Sequence, residues 1–294
     1  MSERIPRVGC GEGRLILRVL SGSRAHGLAR AESDTDTRGV CIPAPRFFVG
    51  LSKFEQYESE GGDHVVYALS KFAKLALQGN PNIIETLYTE VDSVLTVDPT
   101  FGKPLVEARD AFLSQRVGES FMRYGLAQLK RLSRHHRWIR EQPPIAPEPE
   151  EFGAVQKDGR YQFPSADAER GYRAAMKHHE GYRDWQENRN PERRKLEEAY
   201  GYDTKHAVHL CRLLKMGGEI LDEGRVLVRR PDADWLRAIR EGGLSYPELM
   251  QWAESRVSAL PELMARSELP TEPDQARIES LVVDLHRRFL EETA

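Results

Sequence analysis

A chain of 294 residues, 39% hydrophobic and 30% charged, is long enough to bury a core in one large or two modest domains. Its formal net charge of −3 excludes general nucleic-acid binding through bulk positive charge, although local basic patches stay open. Three widely spaced cysteines, Cys10, Cys41 and Cys211, form no Cys-x-x-Cys pair, so neither a disulfide framework nor a structural zinc site is favoured.

The first hundred residues alternate short apolar runs with turns, which is typical of mixed α and β structure. We predict a strand over 15–20 and a short helix over 24–31. The stretch "DTDTRGVCIP" predicts a half-buried strand closed by Pro43, and "DHVVYAL" starts a third strand. Helices are predicted in "LSKFAKLALQ" and after the Asn80-Pro81 pair.

From about residue 101 the chain is rich in Leu, Ala, Glu, Lys and Arg, which predicts a helical region. A stretch rich in proline and charge near 141–165 interrupts it, and we expect a flexible loop there. The fold class is therefore α+β, with an N-terminal unit over 1–100 and a mostly helical unit over 101–294. The predicted helices lie near 104–114, 117–140, 166–187, 191–222, 232–241, 246–266 and 274–291.

The stretch "SGSRAHGLARAESDTDTRGV" places a glycine-serine turn ahead of an Asp-x-Asp. On a strand, Asp34 and Asp36 would project from one face, roughly 7 Å apart at the backbone, and would repel unless a cation lay between them. Mg²⁺ or Mn²⁺ suits such ligands and shares a substrate phosphate. Gly22 lets the backbone approach an anion, and Ser23 adds a hydroxyl where a helix could begin. An exposed turn without function is the alternative.

Two further residues of this stretch have less specific interpretations. Arg38 follows in the same alternation, where it would contact a phosphate or form a plain salt bridge with Asp36. For His26 we favour a conformational role over catalysis.

Gly22-Ser23 followed by Asp34-x-Asp36 is similar to the signature of the DNA polymerase beta-like nucleotidyltransferase superfamily. With "NPNIIETLY" and "GYDTKHAVHLCRLL", the chain more narrowly resembles predicted nucleotidyltransferases associated with RNA ligases, from about residue 15 to 252. The resemblance implies a small mixed-sheet, palm-like catalytic domain over 1–100, a divalent metal and a nucleoside triphosphate substrate. RNA or an RNA ligase is an implied partner.

The superfamily also uses a third carboxylate on a neighbouring strand, and Asp63 is the candidate. Gly62 precedes it where the superfamily pattern prefers an apolar residue, and Glu55, Glu58 and Glu60 compete for the role. The resemblance implies that Asp34 and Asp36 bind both metals. Asp63 would bind the catalytic one and help to deprotonate the attacking hydroxyl.

The stretch "GYDTKHAVHLCRLLKMGGEIL" predicts a helix with two stripes. Ala207, Leu210, Cys211 and Leu214 would be buried. In related folds a helical domain contributes a cation to the triphosphate, and we assign that role to Lys205, with His209 as a second substrate contact. A solvated basic face is the alternative. The second stripe consists of Tyr202, Lys205, His206, His209 and Arg212.

A basic helix over Gln128–Arg140 carries cations around Trp138, which suits single-stranded RNA with a base stacked on the indole. An ordinary solvated helix face is the alternative. The hydroxyl acceptor is open between an RNA end, a protein and a small molecule. A metal-dependent phosphohydrolase and a catalytically silent nucleotide- or RNA-binding module remain alternative functions. Because "MSERIPRVGC" has no apolar segment and no run approaches a membrane span, we expect a cytoplasmic protein without a membrane partner.

Overall fold

A computed structural model describes residues 13–141 and 144–294. It shows the expected α+β fold, with a mixed sheet near the N-terminus followed by a mostly helical region. Cys10 lies outside the described residues. No helix in the described ranges is long and apolar enough to cross a membrane.

Within the described residues the sheet has five strands, and all pairs are antiparallel except β2 with β4. Their order across the sheet is β3-β4-β2-β1-β5. The two edge strands, β3 and β5, were not predicted, because runs of three and four residues are too short to show alternation. The strands are β1 Arg14–Leu20, β2 Thr37–Ile42, β3 Gln56–Glu58, β4 His64–Ala68 and β5 Val94–Val97.

The helices account for most of the remaining described residues. In chain order they are α1 Gly22–Ala25, α2 Leu69–Leu77, α3 Pro81–Tyr88, α4 Gly102–Glu107, α5 Gln115–Arg140, α6 Ala166–Glu187, α7 Pro191–Tyr200, α8 Thr204–Glu223, α9 Ala233–Arg240, α10 Tyr246–Ser258, α11 Leu260–Arg266 and α12 Gln275–Thr293.

Three predicted helices are each divided in the structure. The helix predicted over 104–114 is α4, which ends at Glu107, followed by a short 3-10 helix over Arg109–Phe112. The helix predicted over 191–222 is two helices, α7 and α8, because Gly201 adopts φ +78° and ends α7. The helix predicted over 246–266 is two helices, α10 and α11. The division falls where α11 begins, because a proline in the first turn of α11 cannot continue the hydrogen bonds of α10. The short helix predicted over 24–31 is the single turn α1, which begins and ends earlier.

The stretch expected to be a loop contains regular structure. Strands β6 Val155–Lys157 and β7 Arg160–Gln162 form a hairpin whose turn, Asp158-Gly159, has positive φ at both residues. Residues 155–162 of this stretch are therefore an exposed hairpin and not irregular chain. The flexibility of the stretch stays a prediction.

The part of the chain that the structure describes divides into two compact units. The sheet unit contains the residues up to Gln128 together with Val208–Ala294, and the inserted unit contains Leu129–Ala207. The expected domain boundary at residue 100 concerns the catalytic domain and stays a prediction.

The core of the sheet unit joins the sheet to the helices that cover it. Ile16, Phe72, Ile84 and Phe121 belong to it and are at most 1% exposed. Close packing of α5 on α8 depends on small residues, because a Cβ at Gly118 would overlap the Leu221 side chain. The stripe predicted to be buried on α8 is confirmed, since its four members are at most 1% exposed: Ala207, Leu210, Cys211 and Leu214.

Candidate active site

Three strand ends meet at one edge of the sheet. Leu20, the last residue of β1, pairs with Thr37, the first residue of β2. Thr37 in turn pairs with His64, the first residue of β4. Because β1 is antiparallel and β4 is parallel to β2, the residues just after β1 and just before β2 and β4 lie at this same edge.

Main-chain hydrogen bonds hold these flanking residues together. The Ser21 amide donates to the Asp36 carbonyl at 2.9 Å, and the Thr37 amide donates to the Asp63 carbonyl at 2.8 Å. Two of the three predicted carboxylate residues, Asp36 and Asp63, are therefore placed next to each other by the backbone. The glycine-serine turn starts directly beside them.

The Asp36 carboxylate lies against the turn itself. Gly22 has φ +61°, and a Cβ built there would overlap Asp36 Oδ2. Only glycine combines this backbone conformation with such a close approach. Ser23 follows within α1, half-buried, and its carbonyl accepts a hydrogen bond from the Leu28 amide at 2.8 Å. The structure thus brings the turn and the second aspartate of the Asp-x-Asp together.

The alternation predicted that the two aspartates lie on a strand, and this was wrong. Strand β2 begins only at Thr37, so both aspartates precede it. The preceding carbonyls are bound by an arginine instead of a neighbouring strand. Arg24 donates to the Ser33 carbonyl at 2.8 Å and to the Asp34 carbonyl at 3.2 Å. Asp34 is exposed and Asp36 is half-buried.

Asp63 is exposed and immediately precedes β4. Among its competitors, Glu55 forms an ion pair with Lys71 at 3.1 Å, and this partner lowers the pKa of Glu55. Glu60 is exposed in the turn before β4. The bond to Thr37 favours Asp63 as the third carboxylate, and its metal role stays a prediction.

The donor chemistry of this edge fits a hard divalent cation. Among residues 13–141 and 144–294, no group of three His, Cys, Asp or Glu side chains is close enough to hold a metal by itself. Mg²⁺, however, is usually bound through one or two carboxylates, waters and substrate phosphates. Asp36 and Asp63, which the backbone places side by side, are the residues that would supply the protein's share of such a set, and this role stays a prediction.

Arg38 is half-buried on β2 and donates from Nη1 to the Thr37 carbonyl at 3.1 Å. Its Nε is buried and has no hydrogen-bond partner in the described part of the chain. The alternative of a salt bridge with Asp36 is not found among the ion pairs of the described residues. A buried unpaired donor is costly, so a bound anion would stabilise this side chain.

A buried charge network, His26–Glu85–Arg212, lies behind the turn. His26 Nε2 and Glu85 Oε2 are 2.9 Å apart, and Glu85 Oε1 accepts from Arg212 Nη1. The three residues are 6%, 7% and 4% exposed. They come from the three sequence blocks that carry the family resemblance: "SGSRAHGL", "NPNIIETLY" and "GYDTKHAVHLCRLL".

The network fixes the charge states of its members. Burial and the Arg212 charge lower the pKa of His26, so the imidazole is neutral near pH 7. Burial alone would raise the pKa of Glu85, but Arg212 and His26 hold it well below its usual range. The His26 carbonyl also accepts a hydrogen bond from the Arg230 amide at 3.1 Å. These contacts favour the conformational role predicted for His26.

The predicted basic stripe on α8 was wrong in part. Tyr202, His206 and Arg212 are buried, at 1%, 7% and 4% exposure. Arg212 turns inward because Glu85 attracts it. Glu85 itself was missed, and its signal was weak: one acid between the apolar residues of a short helix.

The two substrate contacts predicted on α8 differ in exposure. Lys205 is exposed in the first turn of the helix and belongs to the inserted unit. His209 is half-buried, and Arg212 Nη2 lies 3.3 Å from its Nδ1. Both roles stay predictions.

Trp138 does not offer a face for a base, contrary to prediction. It is 8% exposed and its Nε1 donates to His178 Nε2 at 3.3 Å. Its ring packs on those of Tyr182 and Trp185, with centroids 5.8 and 5.5 Å away. The aromatic cluster inside the inserted unit therefore fixes the position of the Trp138 side chain.

The mixed sheet, with Asp36 against the glycine-serine turn that follows β1, agrees with the polymerase beta-like nucleotidyltransferase fold expected from the sequence. The family model RlaP, described as the RNA repair pathway DNA polymerase beta family, matches residues 7–284. The chain belongs to this family, which supports a nucleotidyltransferase role in RNA repair. No curated protein and no solved structure matches the chain.

Proposed function

We propose that this protein transfers a nucleoside monophosphate from a nucleoside triphosphate to a hydroxyl acceptor, with Mg²⁺ or Mn²⁺ as cofactor. The observation that carries the proposal is the contact of the Asp36 carboxylate with Gly22, beside Asp63, the residue that precedes β4. A phosphate bound at the turn would lie next to Asp36 and Asp63, which we propose bind the divalent cation. Phosphoryl transfer requires little beyond such positioning and charge neutralisation.

In the proposed reaction, the acceptor oxygen forms a bond to the α-phosphorus. The bond between the α-phosphorus and the oxygen that bridges it to the β-phosphate breaks. Pyrophosphate leaves, and the hydroxyl proton passes to Asp63. Asp34, Asp36 and Asp63 would hold the divalent ion, which when bound neutralises phosphate charge and makes the hydroxyl more acidic. Gly22 permits the triphosphate to approach the backbone.

Three side chains are proposed to bind the substrate rather than to react. Arg38 has a buried Nε without a described partner, which suits a phosphate oxygen. Lys205 would contribute a point charge to the triphosphate, and His209 a further contact. An RNA ligase of the same pathway is the proposed protein partner.

Label transfer tests this function. The protein is incubated with each nucleoside triphosphate labelled at the α-phosphate, with Mg²⁺ and with RNA or total protein. Label on a polymer supports transfer, whereas release of free labelled nucleotide alone would indicate a phosphohydrolase. Retention of intact nucleotide would indicate a binding module.

Asp36→Asn is the decisive variant for the same assay. It should abolish transfer and leave the thermal midpoint unchanged or higher, because it removes repulsion between neighbouring carboxylates. Asp158→Asn is the matched control, since Asp158 is exposed in the β6–β7 turn and asparagine tolerates its φ of 50°. Full transfer by Asp36→Asn would refute the mechanism.

A further inference from the structure

The C-terminal half of α5 carries positive charge without compensation. Between Glu119 and Glu141 the sequence contains no acid. Five cations of this segment are exposed, and none has an acid within ion-pair distance among residues 13–141 and 144–294. We call them the basic face: Lys130, Arg131, Arg134, Arg137 and Arg140.

The neighbouring helix in the inserted unit shows how different this is. On α6, Arg170, Arg173 and Arg183 each form an ion pair with an acid one turn away on the same helix. Such pairs reduce the field that a surface presents to an anion. The basic face has no such partners in the described structure, although the whole chain has a net charge of −3.

The cations also form a continuous surface. Lys130, Arg134 and Arg137 follow i, i+4 and i+7, which places them on one side of the helix. Arg131 and Arg140 flank this row. The face extends over about 15 Å, which is enough to meet several successive phosphates of a strand. The Arg134 guanidinium lies over the Trp138 ring, 5.3 Å from its centroid, so part of the face is held in place.

The charge of the face does not depend on histidine. Burial, together with Arg131 and Arg134, lowers the pKa of His135 to about 4, so its imidazole is neutral near pH 7. The positive charge of the face therefore comes from its lysine and arginine side chains.

We propose that the basic face binds the phosphate backbone of single-stranded RNA, which is then the acceptor class of the transfer reaction. The inference rests on the proposed function and on membership in an RNA repair family. Since Trp138 is buried, no base stacks on it, and recognition is through phosphates. Binding is therefore independent of base sequence and strongly dependent on salt.

The test measures binding of a labelled 20-nucleotide RNA by fluorescence anisotropy between 50 and 200 mM salt, without nucleotide or metal. One variant combines Lys130→Gln, Arg134→Gln and Arg137→Gln. The matched control combines Arg170→Gln, Arg173→Gln and Arg183→Gln, which removes the same charge from paired positions. Glutamine maintains helix propensity, and circular dichroism checks the folding of both proteins.

Loss of three phosphate contacts should reduce the slope of log K against log salt by about 2, at about 0.7 per phosphate of a single strand. The advantage of the wild type over the variant should then shrink about 18-fold between 50 and 200 mM salt. The control should bind within twofold of the wild type. RNAs of different base composition should bind alike.

Four results would overturn the proposal: no RNA binding by the wild type at 50 mM salt, an equal loss in the control, tighter binding of single-stranded DNA than of RNA, or strong preference for one base. The Asp36→Asn protein should bind RNA normally. RNA binding that depends on the basic face, in a protein that transfers no label, would refute only the proposed function. Label transfer to RNA that the triple variant performs as well as the wild type would refute only the basic face.

Discussion

Glu85→Gln is expected to destabilise the sheet unit strongly, because it removes the central charge of the His26–Glu85–Arg212 network. Glu85 and Arg212 are 7% and 4% exposed, so water cannot replace the lost carboxylate. Removal of one partner from a buried ion pair reduces the free energy of unfolding by about 3–5 kcal/mol. Glutamine has nearly the same shape, so the effect reports the charge and not a cavity.

Urea unfolding followed by circular dichroism measures this loss, and two further variants make the result specific. Glu90→Gln removes an acid from an exposed pair, since Glu90 and Arg229 are 43% and 49% exposed in their side chains, and should lower stability by about 0–1 kcal/mol. Glu85→Gln combined with Arg212→Met should recover most of the lost stability, because an apolar replacement leaves no unpaired charge.

Two results would refute this reasoning. A loss for Glu85→Gln no larger than that for Glu90→Gln would mean that the network does not behave as a buried pair. A double variant as unstable as Glu85→Gln would mean that the unpaired Arg212 charge is not the cause.

Three other predictions concern the turn, the pH dependence and the nucleotide. Gly22→Ala should abolish transfer and lower the free energy of unfolding by about 1 kcal/mol or more, because φ is positive at Gly22 and a Cβ would displace the Asp36 carboxylate. Label transfer measures the first effect and urea unfolding the second. A fully active variant would contradict this prediction. The free energy of unfolding should fall as pH drops below about 6.5, because the unfolded chain protonates His26 before the folded chain does, and His26→Gln should weaken this dependence in urea curves at several pH values. Equal slopes in both proteins would contradict that expectation. Lys205→Ala should raise the KM for nucleotide more than it lowers kcat in steady-state kinetics, because a remote phosphate contact stabilises the bound substrate and the transition state about equally. An unchanged KM would exclude a contact of Lys205 with the triphosphate.

Several elements could be predicted because their signals are local. The apolar run of β1 and the period of α6 each lie within one element, and α6 begins and ends as predicted at Ala166–Glu187. The buried stripe of α8 follows from helical spacing alone, and Leu210 and Cys211 are fully buried. The edge strands β3 and β5 are defined by their pairing with β4 and β1, which a run of three or four residues does not specify.

At the candidate site, the sequence alone determined the residue types and their order: a glycine-serine turn, then Asp34 and Asp36, then Asp63. The position of the aspartates ahead of β2 emerges only in the folded chain, because Arg24 binds the carbonyls that a strand would have used. The fold also turns Arg212 toward Glu85, 127 residues away in the chain, and buries Trp138 against Tyr182 and Trp185. Hydrophobic periodicity depends on neighbours within a few residues, whereas a charge or a ring becomes buried only when a distant partner compensates for the loss of water.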